Sequence, residues 1–225
     1  MAENSTGEWL ELTATDGHKL AAYRARPRGE ARGALVIVQE IFGINHHIRS
    51  VCDGYAAEGY EVVAPALFDR VEREVELGYD EAGIQRGFAL MGQVPADKAL
   101  LDIGAALAVL GGAEKAAVAG FCWGGTLTWR TATHLRPRAA IGYYGGEIGK
   151  FLDETPTCPT LLHFGEKDDS IPMTVPEGIR SRHPAVVCHI YPAGHGFNCD
   201  ERGSHDPDSA ALARTRTLGF LQAVF

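Results

Sequence analysis

The sequence has few of the features that mark membrane, secreted or nucleic-acid-binding proteins. It contains no apolar run near the roughly 20 residues that span a bilayer. Residues 1–8 are polar and hold no apolar core of signal-peptide length. There is no run of basic residues, and a formal net charge of -8 argues against a nucleic-acid partner. These absences predict a cytoplasmic protein that acts on a small molecule, with no membrane and no nucleic acid as partner.

The number of cysteines bears on the compartment and on metal binding. The five cysteines are an odd number without regular spacing, and this fits reduced thiols better than a disulfide framework. The candidate metal ligands do not occur in pairs with the sequence spacing that is typical of zinc sites, so we expect no metal site. These candidates are His46, His47, Cys199 and His205. Linkers and low-complexity segments are missing too, so residues 1–225 are predicted to form a single domain.

The chain does have an alternation of strand-like and helix-like segments. Residues 9–14 and 20–24 flank Thr15-Asp16-Gly17-His18, whose Asp-Gly step predicts an antiparallel hairpin. We predict a mostly parallel α/β sheet with helices on both faces, in which ligands bind beyond the carboxyl ends of the strands. The further strands are expected at 34–39, 61–64, 115–119, 139–143, 160–164 and 186–191, and the helices at 48–58, 99–110, 125–135 and 208–224.

One motif carries the chemistry. Gly120-Phe121-Cys122-Trp123-Gly124 has the form of a nucleophile elbow, with cysteine where serine is usual, between a strand and a helix. A helix N-terminus favours a thiolate and can receive an oxyanion, so Cys122 is the candidate nucleophile. The alternative is that Cys122 is a small buried apolar residue, as Cys52, Cys158, Cys188 and Cys199 are expected to be.

An acid and a base follow in the chain order that this kind of hydrolase requires. Asp168 lies in the loop after the strand at 160–164, and we prefer it to the adjacent Asp169 because of its position after glycine and strand. His195 lies in the loop after the strand at 186–191. The hypothesis is a triad in which Asp168 orients His195 and His195 moves the proton of Cys122.

These residues resemble a known family, the dienelactone hydrolases or carboxymethylenebutenolidases. The resemblance runs nearly end to end, and it implies the α/β-hydrolase fold, no cofactor and a monomer. It also implies that a cyclic lactone, dienelactone, is opened to maleylacetate during bacterial degradation of chlorinated aromatics. The motifs that carry it are Gln39-Glu40-Ile41-Phe42-Gly43, Gly120-Phe121-Cys122-Trp123-Gly124-Gly125, Gly165-Glu166-Lys167-Asp168 and Gly194-His195.

The resemblance also assigns roles to other residues. Glu40 becomes a buried carboxylate that controls when Cys122 ionises, since a nearby carboxylate opposes a standing thiolate and can later take its proton. The backbone N–H groups of Ile41 and Trp123 are the expected oxyanion hole. Arg86, Tyr143 and Phe42 are the expected substrate-binding residues.

The chain departs from the family pattern at two positions. Where lactone-binding members have a second carboxylate-binding arginine, four residues after the histidine, this chain has Cys199. Arg202 is near enough in sequence to substitute for it. The residue after the histidine is Gly196, where those members tend to have serine. The role of residues 71–93, as pocket wall or lid, is left open.

The sequence thus predicts a cysteine-dependent hydrolase that cleaves a small lactone or ester through an acyl-enzyme. Two alternatives stay open at this point. One is an α/β-hydrolase homologue that senses redox state or binds a ligand through Cys122 without turnover. The other is a thioesterase or aryl esterase.

Overall fold

A computed structural model of the chain describes residues 7–225. Backbone contacts divide the chain after Ala116 into two compact units, which are described in turn. The prediction that residues 1–225 form one domain stays a prediction. Residues 1–6 of the polar N-terminal stretch lie outside the described residues.

The first unit contains four strands in the order β1-β2-β4-β3. β1 pairs antiparallel with β2, and β2 pairs antiparallel with β4, whereas β3 and β4 are parallel. The predicted hairpin is confirmed, and Gly17 in its turn has a φ of +82°, which glycine adopts without strain. The strands are β1 (Glu8–Thr13), β2 (Lys19–Ala25), β3 (Gly33–Val38) and β4 (Tyr60–Pro65).

Three α-helices belong to the first unit: α1 (His46–Ala57), α2 (Glu81–Met91) and α3 (Ala96–Val109). α1 begins where the Asn45 side chain accepts a hydrogen bond from the Ile48 N–H, and the chain reverses at Gly59, whose φ is +97°. α2 was not predicted, because its two internal glycines obscure the helical pattern. Asp80 caps its first turn. Short 3₁₀ turns occupy Leu67–Arg70 and Ala113–Lys115.

The second unit contains four parallel strands in the order β5-β6-β7-β8. Every residue of β5, β6 and β7 is buried, whereas β8 is partly exposed. Parallel strands covered on both faces are apolar without alternation, and this is why their sequences read as continuous apolar runs. The strands are β5 (Ala116–Phe121), β6 (Ala140–Tyr143), β7 (Thr160–Gly165) and β8 (Val187–Tyr191).

The helices of the second unit are α4 (Trp123–His134), α5 (Thr174–Arg182) and α6 (Pro207–Val224). α6 starts with Asp206, whose side chain accepts from the Ser209 N–H, and with proline at its first position. α5 was not predicted, because Pro176 and Gly178 make it resemble a loop. Among residues 7–225, the helices are all too short or too polar to cross a membrane.

Candidate active site

Cys122 lies at the turn between β5 and α4 in a backbone conformation that few residues other than glycine adopt. Its φ is +54° and its ψ is -115°. Its N–H donates to the Tyr143 carbonyl at 3.0 Å, and its own carbonyl accepts from the N–H groups of Gly125 and Thr126. A cysteine held in a strained conformation by several backbone hydrogen bonds is typical of a nucleophile elbow.

The glycines of the elbow are required by close backbone contacts. A Cβ atom at Gly120 would lie 2.1 Å from the carbonyl oxygen of Gly124, and one at Gly125 would lie 2.5 Å from the carbonyl oxygen of Tyr143. Real Cβ atoms do not approach backbone atoms so closely. The motif therefore reflects packing of the turn against α4 and β6, and not only local flexibility.

Asp168 and His195 meet as the sequence predicted they would. Nδ1 of His195 lies 2.7 Å from Oδ2 of Asp168, and the Asp168 side chain is fully buried. The other carboxylate oxygen of Asp168 accepts from the Ser170 N–H at 2.9 Å. Asp169, the alternative acid, is exposed. Two hydrogen bonds thus fix Asp168 so that it can orient the His195 ring.

His195 is also hydrogen-bonded to Cys122, and this contact changes its protonation. Burial alone would lower the pKa of His195, but hydrogen bonds with Asp168 and Cys122, and the charges of both groups, outweigh burial and raise the pKa to about 10. The raised pKa favours the imidazolium form of His195, which the Asp168 carboxylate stabilises. Cys122, Asp168 and His195 together form a hydrogen-bonded triad.

Two adjacent tyrosines occupy different places. The ring of Tyr144, whose φ is +39°, lies 5.1 Å from the His195 ring and 5.4 Å from the ring of Phe197. Tyr143 is buried, with its hydroxyl 2.7 Å from Oγ1 of Thr217. Tyr143 is the predicted substrate-binding residue, and that role stays a prediction. Tyr144, which no sequence motif singles out, is the tyrosine in contact with the His195 ring.

Arg202 packs against Gly196, the residue that follows His195. A Cβ at Gly196 would lie 2.5 Å from Nη1 of Arg202, and Gly196 itself has a φ of +76°. The guanidinium therefore occupies the space that a serine side chain would need. This contact links the two departures from the family pattern. Position 199 is cysteine and not arginine, and glycine at position 196 leaves space for the Arg202 guanidinium.

In the first unit, Glu40 follows β3 and is completely buried. Its Oε2 accepts a hydrogen bond from the Tyr79 hydroxyl at 3.1 Å, and the Tyr79 oxygen accepts from the Asn45 amide at the same distance. The Gln39 amide donates to the Glu40 carbonyl. Tyr79 was not identified from the sequence, since it lies 39 residues from Glu40 in a segment with no recognisable motif.

The other predicted residues of the first unit lie around the same turn. Phe42 is buried with its ring 4.4 Å from the Tyr79 ring. A Cβ at Gly87 in α2 would lie 2.3 Å from the Ile41 carbonyl, so α2 packs on this turn. Arg86 is half-exposed on α2 and forms an ion pair with Glu72. Residues 71–93 therefore cover the turn that carries Glu40.

The strand and helix pattern, the elbow and the triad define a class of protein, the α/β-hydrolases. A model of the dienelactone hydrolase family matches residues 20–225. The chain therefore belongs to the dienelactone hydrolase family, and it is a carboxylic-ester hydrolase whose family acts on small esters or lactones.

Individual relatives agree with this assignment. A protein of Escherichia coli strain K12 named "Putative carboxymethylenebutenolidase" is 34% identical over 91% of this chain and 82% of its own length. "Carboxymethylenebutenolidase 1" of Cupriavidus pinatubonensis is 28% identical over 94% of this chain and 95% of its own. The crystal structure of a "Putative Dienelactone Hydrolase" of Klebsiella pneumoniae superimposes with a TM-score of 0.81 at 30% identity, covering 96% of this chain and 98% of that one. The predicted α/β-hydrolase fold is thereby confirmed.

Proposed function

We propose that this protein opens a small lactone such as dienelactone, giving maleylacetate, or cleaves a related small ester, through a covalent thioester on Cys122. One observation carries the proposal. Cys122 lies at a strained elbow and is hydrogen-bonded to His195, which is held at 2.7 Å by the buried Asp168. A sensor thiol needs no histidine oriented by a carboxylate, whereas a hydrolase must move protons in two successive steps.

In the first step, His195 holds the proton released by Cys122, and the thiolate attacks the carbonyl carbon of the lactone. The new S–C bond forms as the carbonyl π electrons move to oxygen. When the tetrahedral intermediate collapses, the ring C–O bond breaks, and the leaving oxygen takes the proton from His195. The leaving group stays attached to the acyl chain, because the ester is cyclic.

In the second step, water hydrolyses the thioester. His195, now neutral, takes a proton from water as the hydroxide attacks the acyl carbon. Collapse of the second intermediate breaks the C–S bond and returns the electron pair to sulfur. The free enzyme is thereby restored, with the proton from water left on His195 and the electron pair on the Cys122 sulfur. With dienelactone, the released enol tautomerises to the ketone of maleylacetate.

The negative oxygen of both intermediates needs hydrogen-bond donors. The Trp123 N–H follows the nucleophile at the start of α4, where amides point out of the helix, and the Ile41 N–H is the second proposed donor. Glu40 is proposed to control the ionisation of Cys122. The Tyr79 hydroxyl supports this role because it holds the carboxylate in one position.

Two arginine side chains are proposed to bind the carboxylate of an anionic substrate. Arg202 lies beside Gly196 and so within the catalytic histidine loop, which makes it the proposed partner for a substrate carboxylate. Arg86 is the second proposed partner, and Tyr143 and Phe42 are proposed to shape the apolar part of the pocket. A charge-assisted hydrogen bond to a carboxylate contributes about 1.5 to 3 kcal/mol.

The first test measures the loss of ultraviolet absorbance of dienelactone, alongside a neutral aryl ester, with reduced wild-type protein and Cys122→Ala. We expect turnover by the wild type and none by the variant, with the acyl-enzyme visible as an added mass in rapidly quenched samples. Activity that persists in Cys122→Ala would rule out the sulfur nucleophile. Absence of turnover of either substrate by folded, reduced protein would favour the sensing or ligand-binding alternative.

A second test addresses the substrate charge. Arg202→Ala should raise KM for dienelactone about tenfold or more and leave KM for the neutral ester unchanged, because only the lactone carries a carboxylate. Arg138→Ala is the matched control, since Arg138 interacts with the C-terminal end of α6. Equal effects of Arg202→Ala on both substrates would mean that Arg202 does not bind the carboxylate.

A further inference from the structure

Four polar side chains form a buried cluster behind the loops that carry Asp168 and His195. His163, in β7, is completely buried, with Nδ1 2.8 Å from the Tyr191 hydroxyl and Nε2 3.0 Å from Oγ1 of Thr217. Oγ1 of Thr217 also lies 2.7 Å from the Tyr143 hydroxyl. We call these four residues the His163 network. It joins β6, β7, β8 and α6 through three hydrogen bonds.

The surroundings of His163 keep its ring neutral. Burial, together with the charges of His189 and Arg216, lowers the pKa of His163 to about 3, so the ring has one N–H. A neutral imidazole has one donor nitrogen and one acceptor nitrogen. The Tyr191 hydroxyl lies at one of them and Oγ1 of Thr217 at the other, so both ring nitrogens have a hydrogen-bond partner.

The network is coupled to both catalytic loops by backbone hydrogen bonds. The Tyr191 carbonyl accepts from the Glu166 N–H at 2.8 Å, and the Lys167 N–H donates to the Ala193 carbonyl at 3.0 Å. These bonds connect the loop before Asp168 to the loop before His195. A Cβ at Gly165 would lie 2.2 Å from the Ala193 carbonyl, so the end of β7 packs directly against the loop before His195.

An aromatic contact path leads from the same cluster to the His195 ring. The Tyr191 ring lies 5.1 Å from the Phe197 ring, and Phe197 and Tyr144 are 5.4 Å apart. Tyr144 contacts His195 at 5.1 Å, and its backbone N–H donates to the His163 carbonyl at 2.7 Å. A change in the position of Tyr191 or His163 therefore reaches the catalytic ring through packed side chains.

We propose that the His163 network is a positioning device that holds the Asp168 and His195 loops at the separation their hydrogen bond requires. The part of its test that measures kcat and KM rests on the function proposed above. A purely apolar core could hold these strands together, but it would permit sliding, whereas directional hydrogen bonds define one arrangement. The network residues His163, Tyr191 and Thr217 do not belong to the triad. They are positioning residues, because they act on it through the loops that carry Asp168 and His195.

The test compares two fully buried threonines of the second unit. Thr217→Val removes the hydroxyl that Nε2 of His163 and Tyr143 share, while Thr131→Val removes a hydroxyl bonded only to the Leu127 carbonyl of its own helix. We expect Thr217→Val to lower kcat about tenfold with KM within twofold, since small misplacements of catalytic groups carry such effects. Thr131→Val should leave kcat within twofold. Thr217→Ser, which keeps the hydroxyl, should recover most of the loss.

A second readout is independent of turnover. The Nδ1–H resonance and the titration of His195, measured by NMR, report the hydrogen bond to Asp168 directly. We expect Thr217→Val and Tyr191→Phe to shift the resonance upfield and lower the pKa of His195, with Thr131→Val matching the wild type. Equal kcat losses in the two valine variants, or an unchanged His195 resonance in Thr217→Val, would overturn the proposal. If no substrate is turned over, the proposed function fails, but the NMR comparison still tests whether the His163 network positions His195.

Discussion

Nδ1 of His195 lies 2.7 Å from Oδ2 of Asp168, while Asp169, the next residue, is exposed. We therefore expect Asp168→Asn to lower kcat about 10²- to 10⁴-fold, because the amide cannot stabilise the imidazolium and can favour the wrong tautomer. Asp169→Asn is the matched control and should change kcat less than twofold. The measurement is steady-state hydrolysis of the lactone or ester. Equal losses in both variants would remove Asp168 from the triad.

The raised pKa of His195 depends in part on Cys122. Because the sulfur contributes both a hydrogen bond and a charge that raise this pKa, Cys122→Ala should lower it from about 10. An NMR titration of the His195 ring in both proteins measures the difference. A pKa unchanged in the variant would show that Asp168 alone sets the protonation of His195.

The same shift predicts how stability depends on pH. The folded-state pKa of His195, about 10, is above the unfolded value of 6.5. The imidazolium's contribution to stability is therefore complete below pH 6.5 and is lost as pH rises through 10. The difference in urea unfolding free energy between wild type and His195→Gln should shrink from pH 6 to pH 10. A constant difference across that range would contradict the raised pKa.

The hydrogen bond from Tyr79 to Glu40 can be tested against a similar bond elsewhere in the first unit. Tyr79→Phe and Tyr23→Phe each remove a tyrosine hydroxyl bonded to a carboxylate, at Glu40 and at Asp53 respectively. Both variants should lose about 1 kcal/mol or more of unfolding free energy. Only Tyr79→Phe should also change the rate of Cys122 alkylation, because Glu40 is proposed to control ionisation of the thiol. The same alkylation rate in both variants would argue against that control.

The contact between Gly196 and Arg202 predicts the effect of restoring the serine expected at position 196. Gly196→Ser should cost about 1 to 2 kcal/mol of stability, because the φ of +76° disfavours any residue with a Cβ. It should also raise KM for an anionic lactone, since the new side chain displaces the Arg202 guanidinium. Gly203→Ala is the control, because a Cβ there meets no atom within 4 Å. Unchanged KM in Gly196→Ser would separate Arg202 from substrate binding.

Much of the fold was accessible to sequence reasoning because its signals are local. The hairpin around Gly17, the buried runs of β5 to β7 and the capped start of α6 each follow from a few adjacent residues. α2 and α5 were missed because glycine or proline interrupts their apolar spacing. Both helices lie where contacts elsewhere in their own unit compensate for weak local propensity, as with Gly87 on the Ile41 carbonyl.

The sequence by itself determined the order of Cys122, Asp168 and His195, and their location after the strands β5, β7 and β8, because glycine spacing and apolar runs are properties of neighbouring residues. Only the tertiary structure decided which of Tyr143 and Tyr144 contacts His195, that Tyr79 binds Glu40, and that Arg202 fills the space beside Gly196. Those contacts join residues from different elements. Their geometry depends on how the strands and loops pack, and no short stretch of sequence specifies it.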